Sequence, residues 1–395
     1  MKEKWKKYKV SELCTDIIDC VNKTAPVSEI PTDFQMLRTS DIRNGFINLE
    51  KLNCVTEATF LKWSRRGFLK EGDIIFTREA PLGEVGLVRS AENYFLGQRL
   101  VLYRADPEIC DNRFLLYWFL NPQNKEIIKS KGLGTTVTHL RVQDCKAIEI
   151  DVPDLATQKK ISSILSALDD KIELNNKINK NLFEQIAVLY KNLTNESDNY
   201  KNLNLSELCN FQEGYVNPAQ PHPEYFNGKI KWLRAVDINE SFIIDTSRTL
   251  TESGFKSAKK SAVMFRPNTI VISKSGTIGR LGIIADYMCG NRAVINIQPK
   301  QDQFLPFIYS FLKSKKNELD NLAVGSVQKN LYISKLENLT VSCPTENLLT
   351  NFCNISNFLL LKIHNNCFEN QRLSDLRDAL LPELFSGGID LSRIK

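Results

Sequence analysis

Three groups of residues in this 395-residue chain carry side chains that could do chemistry. The first is an acid–lysine string, Pro153-Asp154 followed by Asp169-Asp170-Lys171, the residue types with which a nuclease holds a divalent metal. Its second part falls on a long helical stretch, where Asp169 and Lys171 are two residues apart and face different sides, so the string does not converge. The second is the glycine run Gly276, Gly279 and Gly282. It lies between strand-like stretches and opens no helix, which is the wrong setting for a dinucleotide loop. The third is the 3 His and 10 Cys. His139, His222 and His364 make no pair at ligand spacing, and no C-x-x-C occurs, so neither a zinc site nor a disulfide framework is expected. Reduced cysteines then serve as small apolar residues. There is no G-x-x-x-x-G-K-[ST] phosphate loop and no Asn/Asp-Pro-Pro-aromatic run to hold a flipped adenine. The sequence predicts no catalytic residue, no metal and no cofactor bound by this chain.

Recognition is the remaining chemistry. Lys and Arg number 52 against 46 Asp and Glu, a net charge of +6 that permits an acidic partner without demanding one. Ser64-Arg65-Arg66 and Lys259-Lys260 are basic clusters suited to neutralising phosphates, although a solvated basic loop has the same composition. Four turn-associated stretches carry the side chains that read base edges, Arg for guanine and Gln or Asn for adenine. They are Arg78-Glu79-Ala80-Pro81, Lys274-Ser275-Gly276-Thr277, Thr135-Thr136-Val137-Thr138-His139 and Ser326-Val327-Gln328-Lys329-Asn330. The candidate DNA contacts are therefore Arg65, Arg66, Arg78, Thr135, Thr136, Thr138, His139, Lys259, Lys260, Lys274, Ser275, Ser326, Gln328, Lys329 and Asn330.

These stretches fall at matching places because the chain repeats itself once. Val10-Ser11-Glu12-Leu13-Cys14 returns as Leu205-Ser206-Glu207-Leu208-Cys209, and Leu37-Arg38-Thr39-Ser40-Asp41-Ile42 as Leu233-Arg234-Ala235-Val236-Asp237-Ile238. Ile74-Ile75-Phe76-Thr77-Arg78 returns as Ile270-Val271-Ile272-Ser273-Lys274, and Gly97-Gln98-Arg99 as Gly290-Asn291-Arg292. The period is far too long for a solenoid, so the repeat is a whole domain. Arg38 with Asp41 and Arg234 with Asp237 are common to both copies, as are Arg99 and Arg292. Shared residues suit scaffold, phosphate or partner contacts, with an Arg–Asp ion pair inside each copy as the plainest reading.

Each copy begins with short β-branched runs punctuated by Gly, Pro and Asn, which predict strands. A helical stretch follows late in each, 113–131 (broken at Pro122) and 305–322. After Pro153 and Pro344 a heptad rhythm takes over. It runs through Ile161, Leu165, Leu168, Ile172, Asn175, Asn179, Leu182, Ile186, Leu189 and Leu193. The second copy gives Phe352, Ser356, Leu359, Ile363, Asn366, Asn370, Leu373, Arg377, Leu380 and Leu384, with Pro382 placed to end or kink the helix. Asparagine in a seam fixes register. If the helices pair antiparallel, Asn175 faces Asn370 and Asn179 faces Asn366, so each amide meets its own kind. The expected fold is mixed α/β (α+β). A recognition domain at 1–152 is followed by a spacer helix at 153–196, a second domain at 197–343, a second helix at 344–385 and a tail at 386–395. The two similar domains would be held apart by an antiparallel coiled coil. A seam of that length spans about 50 Å at 1.5 Å per residue, or about 15 base pairs.

The chain resembles the specificity subunit of a type I restriction-modification enzyme over essentially its whole length. The resemblance rests on the LRTSDI and LRAVDI pair, the GDIIFTREAPLGEVG and NTIVISKSGTIGRLG pair, the GTTVTHLR and GSVQKNL pair, and the helices after VPDLATQKKI and CPTENLL. It implies two target recognition domains, each binding half of a bipartite site in double-stranded DNA. It also implies helices on which two modification subunits dock and methylate adenine, and restriction subunits that translocate and cleave. S-adenosylmethionine, ATP and Mg would then sit on those partners. Gln158 has no counterpart in the second copy, which puts any helix-capping role for it in doubt. The alternatives are a stand-alone bipartite DNA-binding regulator or scaffold, and a duplicated DNA-modifying enzyme. Hydrophobic residues at 42% and charged residues at 25% are ordinary globular usage. The basic start has no apolar run behind it, and no stretch approaches the apolar length of a membrane span, so a cytoplasmic protein is expected.

Overall fold

A computed structural model describes residues 5–49, 52–134, 138–196, 200–324 and 329–391. It divides into two units, Met1–Lys171 with Arg372–Lys395, and Ile172–Gln371.

In the first unit, four strands form an antiparallel sheet: β1 (Cys14–Asp19), β2 (Ile74–Arg78), β3 (Leu82–Leu87) and β4 (Leu100–Ala105), in the order β1-β4-β2-β3. Both faces of this sheet are covered, so β2 and β4 read as near-continuous apolar runs. The side-chain period of two still sorts them. Ile74, Phe76, Val101 and Tyr103 enter one apolar cluster, and Ile75, Leu100 and Leu102 enter another. The first cluster takes α1 (Asn112–Leu120) and α2 (Pro122–Ser130). Asp111 caps α1 by accepting from the Phe114 amide at 2.8 Å. Asn121 ends α1 and caps α2, with Pro122 at the first helical position. A terminal strand pair, Lys6–Lys9 against Glu149–Val152, ties the start of the unit to the foot of α3 (Leu155–Glu196).

The second unit repeats the plan. Strands β5 (Cys209–Glu213), β6 (Ile270–Ser273), β7 (Leu281–Ile284) and β8 (Val294–Pro299) pair in the order β5-β8-β6-β7, and a short parallel strand, Phe242–Ile243, extends the edge. Ile270, Ile272, Ile295 and Ile297 face one cluster, and Val271 and Val294 face the other. Helices α4 (Leu305–Ser314) and α5 (Lys316–Leu322) follow. Lys201–Asn204 pairs with Thr340–Cys343 at the foot of α6 (Glu346–Ser386).

Each end of the long helices is packed into a core. Ile161 and Leu165 of α3 and Leu381, Leu384 and Phe385 of α6 are buried in the core of the first unit. Ile186 and Leu193 of α3 and Phe352, Leu360 and Ile363 of α6 are buried in that of the second. Within each unit the two helices run antiparallel. Asn175 donates to Asn370 at 2.9 Å, and Asn366 donates to Asn179 at 2.8 Å. Asn175 also donates to Glu369, and Asn370 to Asn176.

Of the two outcomes expected at Pro382, an end to the helix is not what occurs. Pro382 lies inside α6, which continues to Ser386. Its missing N–H removes one helical bond. Burial of Leu381, Leu384 and Phe385 on the helix around it offsets that loss. Gln158 is likewise no helix cap. It is buried, accepts from the Asp111 amide at 2.9 Å and donates to the carbonyls of Ile109 and Pro153 at 3.0 Å, stapling α3 to the start of α1. The cap is Asp154, which accepts from the Thr157 amide. In the second copy buried Leu349 stands in the place of Gln158.

The acids of the acid–lysine string are engaged within the fold, Asp154 as the cap of α3 and the other two in ion pairs. Asp169 pairs with Arg377, while Asp170 pairs with Arg89 at 3.0 Å and Arg113 at 2.8 Å. Burial raises the Asp170 pKa, but the bonds from Arg113 and Arg89 outweigh it and hold the carboxyl below its ordinary range. A depressed folded pKa contributes stability that is present above the unfolded value and lost as pH falls through the folded one. Asp170→Asn is therefore expected to leave less stability to lose on the acid side, read as a shallower fall in urea midpoint between neutral and acid pH.

Candidate nucleic-acid interface

The site is built on the end of each sheet, beginning with a buried hydroxyl. Thr77, at the end of β2, donates to the Pro81 carbonyl at 2.6 Å and accepts from the Glu84 amide at 2.9 Å. Ser273, at the end of β6, does the same, donating to the Thr277 carbonyl at 2.5 Å and accepting from the Arg280 amide at 2.9 Å. Both residues are fully buried. One hydroxyl thus braces each turn from behind, and the turn residues need not hold their own shape. Gly276 stands at φ +77° in the second turn, a conformation for which glycine is suited.

A second loop lies against each turn. The Leu140 amide donates to the Arg78 carbonyl at 3.0 Å, and His139 bridges Glu79. The Leu331 amide donates to the Lys274 carbonyl at 2.9 Å. Each loop is pinched at its base by a reciprocal pair of backbone bonds, Leu133 with His139 and Val324 with Asn330. The two stretches expected to read bases are therefore neighbours in both units. Thr138 and Lys329 are exposed at these loops, and His139 and Asn330 are half-buried. Thr135, Thr136, Ser326 and Gln328 lie outside the described residues.

Arg78 and Lys274, expected to read base edges, are engaged within the fold. Each side chain is only 15% exposed and is drawn into the fold. Arg78 pairs with Asp19 at 3.4 Å and donates to the Leu140 carbonyl at 3.0 Å. Lys274 pairs with Glu213 and lies over the Tyr332 ring. The physical reason is the sheet order: β1 and β5 carry an acid two strands away, within reach of a long cation. Arg66 joins the same cluster, donating to Asp19 and to the Cys20 carbonyl, both at 2.8 Å. Arg65, Lys259 and Lys260 are exposed, and Ser275 is half-buried. Arg38 pairs with Asp41 at 2.9 Å and Arg234 with Asp237 at 3.7 Å, so these shared pairs brace the scaffold. Arg99 pairs with Glu79 at 3.4 Å.

Among the described residues no group of His, Cys, Asp and Glu could hold a metal ion. All ten cysteines are free. Burial pushes the thiols of Cys14, Cys145, Cys209, Cys289 and Cys353 up to about 12, so they are neutral packing groups. No helix among the described residues is long and apolar enough to cross a membrane.

A family model, the type I restriction modification DNA specificity domain, matches residues 2–184 and again 197–347. The chain belongs to this family. The two matches fall on the two copies of the repeat, and both turn-and-loop pairs lie inside them. The specificity subunit of the type I restriction enzyme MjaIX, from Methanocaldococcus jannaschii, is 26% identical over 364 residues, covering 86% of this chain and 82% of that protein. The HindI specificity subunit of Haemophilus influenzae is 22% identical and covers 98% and 99%. The crystal structure of a type I restriction-modification S subunit from M. genitalium shares the fold at a TM-score of 0.53, with 18% identity and 96% of each chain covered.

Asp19, Glu213, Thr77 and Ser273 are the positioning residues that sequence reasoning missed. A hydroxyl at the same place in both copies was the available signal for the last two. The acids show no local pattern, because their partners arrive from a strand that is not adjacent.

Proposed function

We propose that this member of the specificity family is the DNA-reading subunit of a type I restriction-modification complex, each unit binding one half of a bipartite site. The observation that carries this reading is the paired turn and loop, braced in the same way in both units yet carrying different residues. Shared bracing with divergent tips is what two readers of different sequences need. Arg78 and Lys274 position the turns, and the tips do the reading. Residues exposed at or near the tips, Thr138 and Lys329 among them, reach base edges or phosphates. The chain performs no chemistry itself. Two modification subunits supply adenine methylation with S-adenosylmethionine, and restriction subunits supply ATP- and Mg-dependent translocation and cleavage.

The test is incubation of the chain with labelled S-adenosylmethionine and DNA, with and without the modification subunit. Label transfer only on mixing supports the specificity role; transfer by the lone chain would make it an enzyme, and none in either case favours a regulator. Two predictions refine the assignment. Exchanging Lys329 and Asn330 for Thr and His is expected to change preference at one half-site only, read by methylation-sensitive sequencing, whereas a uniform loss counts against base reading. Lys259→Ala with Lys260→Ala is expected to weaken binding to all sequences alike and to lower the slope of log affinity against log salt by about 2.

A further inference from the structure

The spacing of each long-helix seam is a palindrome. In α3, Ile161 mirrors Leu193, Ile172 mirrors Leu182 and Asn175 mirrors Asn179 about one midpoint. In α6, Phe352 mirrors Leu384 and Asn366 mirrors Asn370. A helix with a palindromic seam matches an antiparallel copy of itself. Two chains could set α3 against α3 with Asn175 on Asn179 and apolar residues on apolar residues, and α6 could do the same except where Ser356 meets Leu380 and Arg377 meets Leu359. Apolar packing and amide pairing alone therefore do not tell the chain's own helix from a second copy.

One layer does. Arg377 is at a seam position, and its Nη1 lies 2.9 Å from Oδ1 of Asp169, with side chains 6% and 3% exposed. Tyr117 donates to the other Asp169 oxygen at 2.7 Å. In copy-on-copy pairing, Ile186 would stand where Arg377 stands, and Leu360 where Asp169 stands. Asp169 would then be buried against an aliphatic side chain with no counter-ion, and Arg377 would keep only the mostly exposed Asp378. Ile186 and Leu360 are the residues the second unit carries at the matching places, both buried in its core.

We propose that the Asp169–Arg377 pair is a partner-selecting element that makes α3 pair with α6 of its own chain and rejects a second copy of this chain. It acts by making the competing assembly costly, not by making the native one more stable.

The experiment refolds the full chain over a range of concentrations and measures mass by light scattering, with differently tagged chains mixed before refolding. Tethering favours pairing within the chain, so the range extends to high protein concentration. The wild type and the swapped pair, Asp169→Arg with Arg377→Asp, are expected to stay at the mass of one chain. Asp169→Leu with Arg377→Ile is expected to shift to twice that mass, with a share that grows with concentration and tags that co-purify. Asp169→Asn with Arg377→Gln keeps the shape without the charge and gives the same shift, which covers the case in which the apolar pair fails to fold. Variants that keep the mass of one chain at every concentration, or a wild type that doubles as readily as they do, would overturn the proposal. Unfolding measured alongside separates this role from a merely structural one, because the apolar pair doubles its mass without losing stability.

Discussion

Arg377→Ala is expected to destabilise the protein by about 3–5 kcal/mol, because it leaves a buried carboxylate without its counter-ion. Asp169 would keep only the Tyr117 hydroxyl. Asp378, the other carboxylate partner of Arg377, is mostly exposed and is resolvated at little cost. The measurement is urea unfolding followed by far-ultraviolet circular dichroism. Replacing both members by Leu and Ile is expected to restore most of the loss, since a buried pair exchanged for packed apolar residues is often neutral or better. Asp170 is the internal control. It neighbours Asp169 and also pairs with arginines, but it is 45% exposed, so Asp170→Ala is expected to cost about 1 kcal/mol or less.

The second large effect lies at the end of α6. Phe385 packs against Phe114 with ring centroids 5.2 Å apart and edge-on to Trp5 at 6.3 Å. Phe385→Ala is expected to cost about 3–5 kcal/mol. It should also release the last turn, which already lacks the hydrogen bond that Pro382 cannot donate. Amide exchange at residues 383–386 would then quicken well before global unfolding. An unchanged exchange rate there would mean that something other than the aromatic cluster holds the helix past the proline.

Those two sites also mark where the sequence was readable and where it was not. The duplication, the strand runs, the break at Pro122 and the two asparagine layers were legible because each is a local or periodic signal. Asn175 and Asn370 could be paired from the heptad positions once the two helices are taken as antiparallel within one chain. Arg377 was visible only as an odd residue in an apolar rhythm. Its partner lies 208 residues away in sequence and one step off the assigned seam, so no spacing rule reaches it. Pro382 does not end the helix, because the rule for proline weighs the lost backbone bond and not the Leu384 and Phe385 burial that answers it. The candidate interface was half legible. The turns and loops were found by comparing the copies, and the fold brings them together. Arg78 and Lys274 looked like free tips because a β-turn cation is ordinarily solvated. Only the strand order reveals the acids that draw them in.

The hydroxyl behind each turn has an evolutionary consequence. Thr77 and Ser273 fix the backbone path through main-chain groups, and the neighbouring loops are pinched by main-chain bonds as well. Every amino acid has a main-chain carbonyl and all but proline an N–H, so most residues at the tips, Gly276 aside, can drift without loosening the frame that presents them. If the tips read DNA as proposed, new preferences for nucleotide sequence can arise by point changes in either half independently, and a lineage can explore them without passing through an unfolded ancestor.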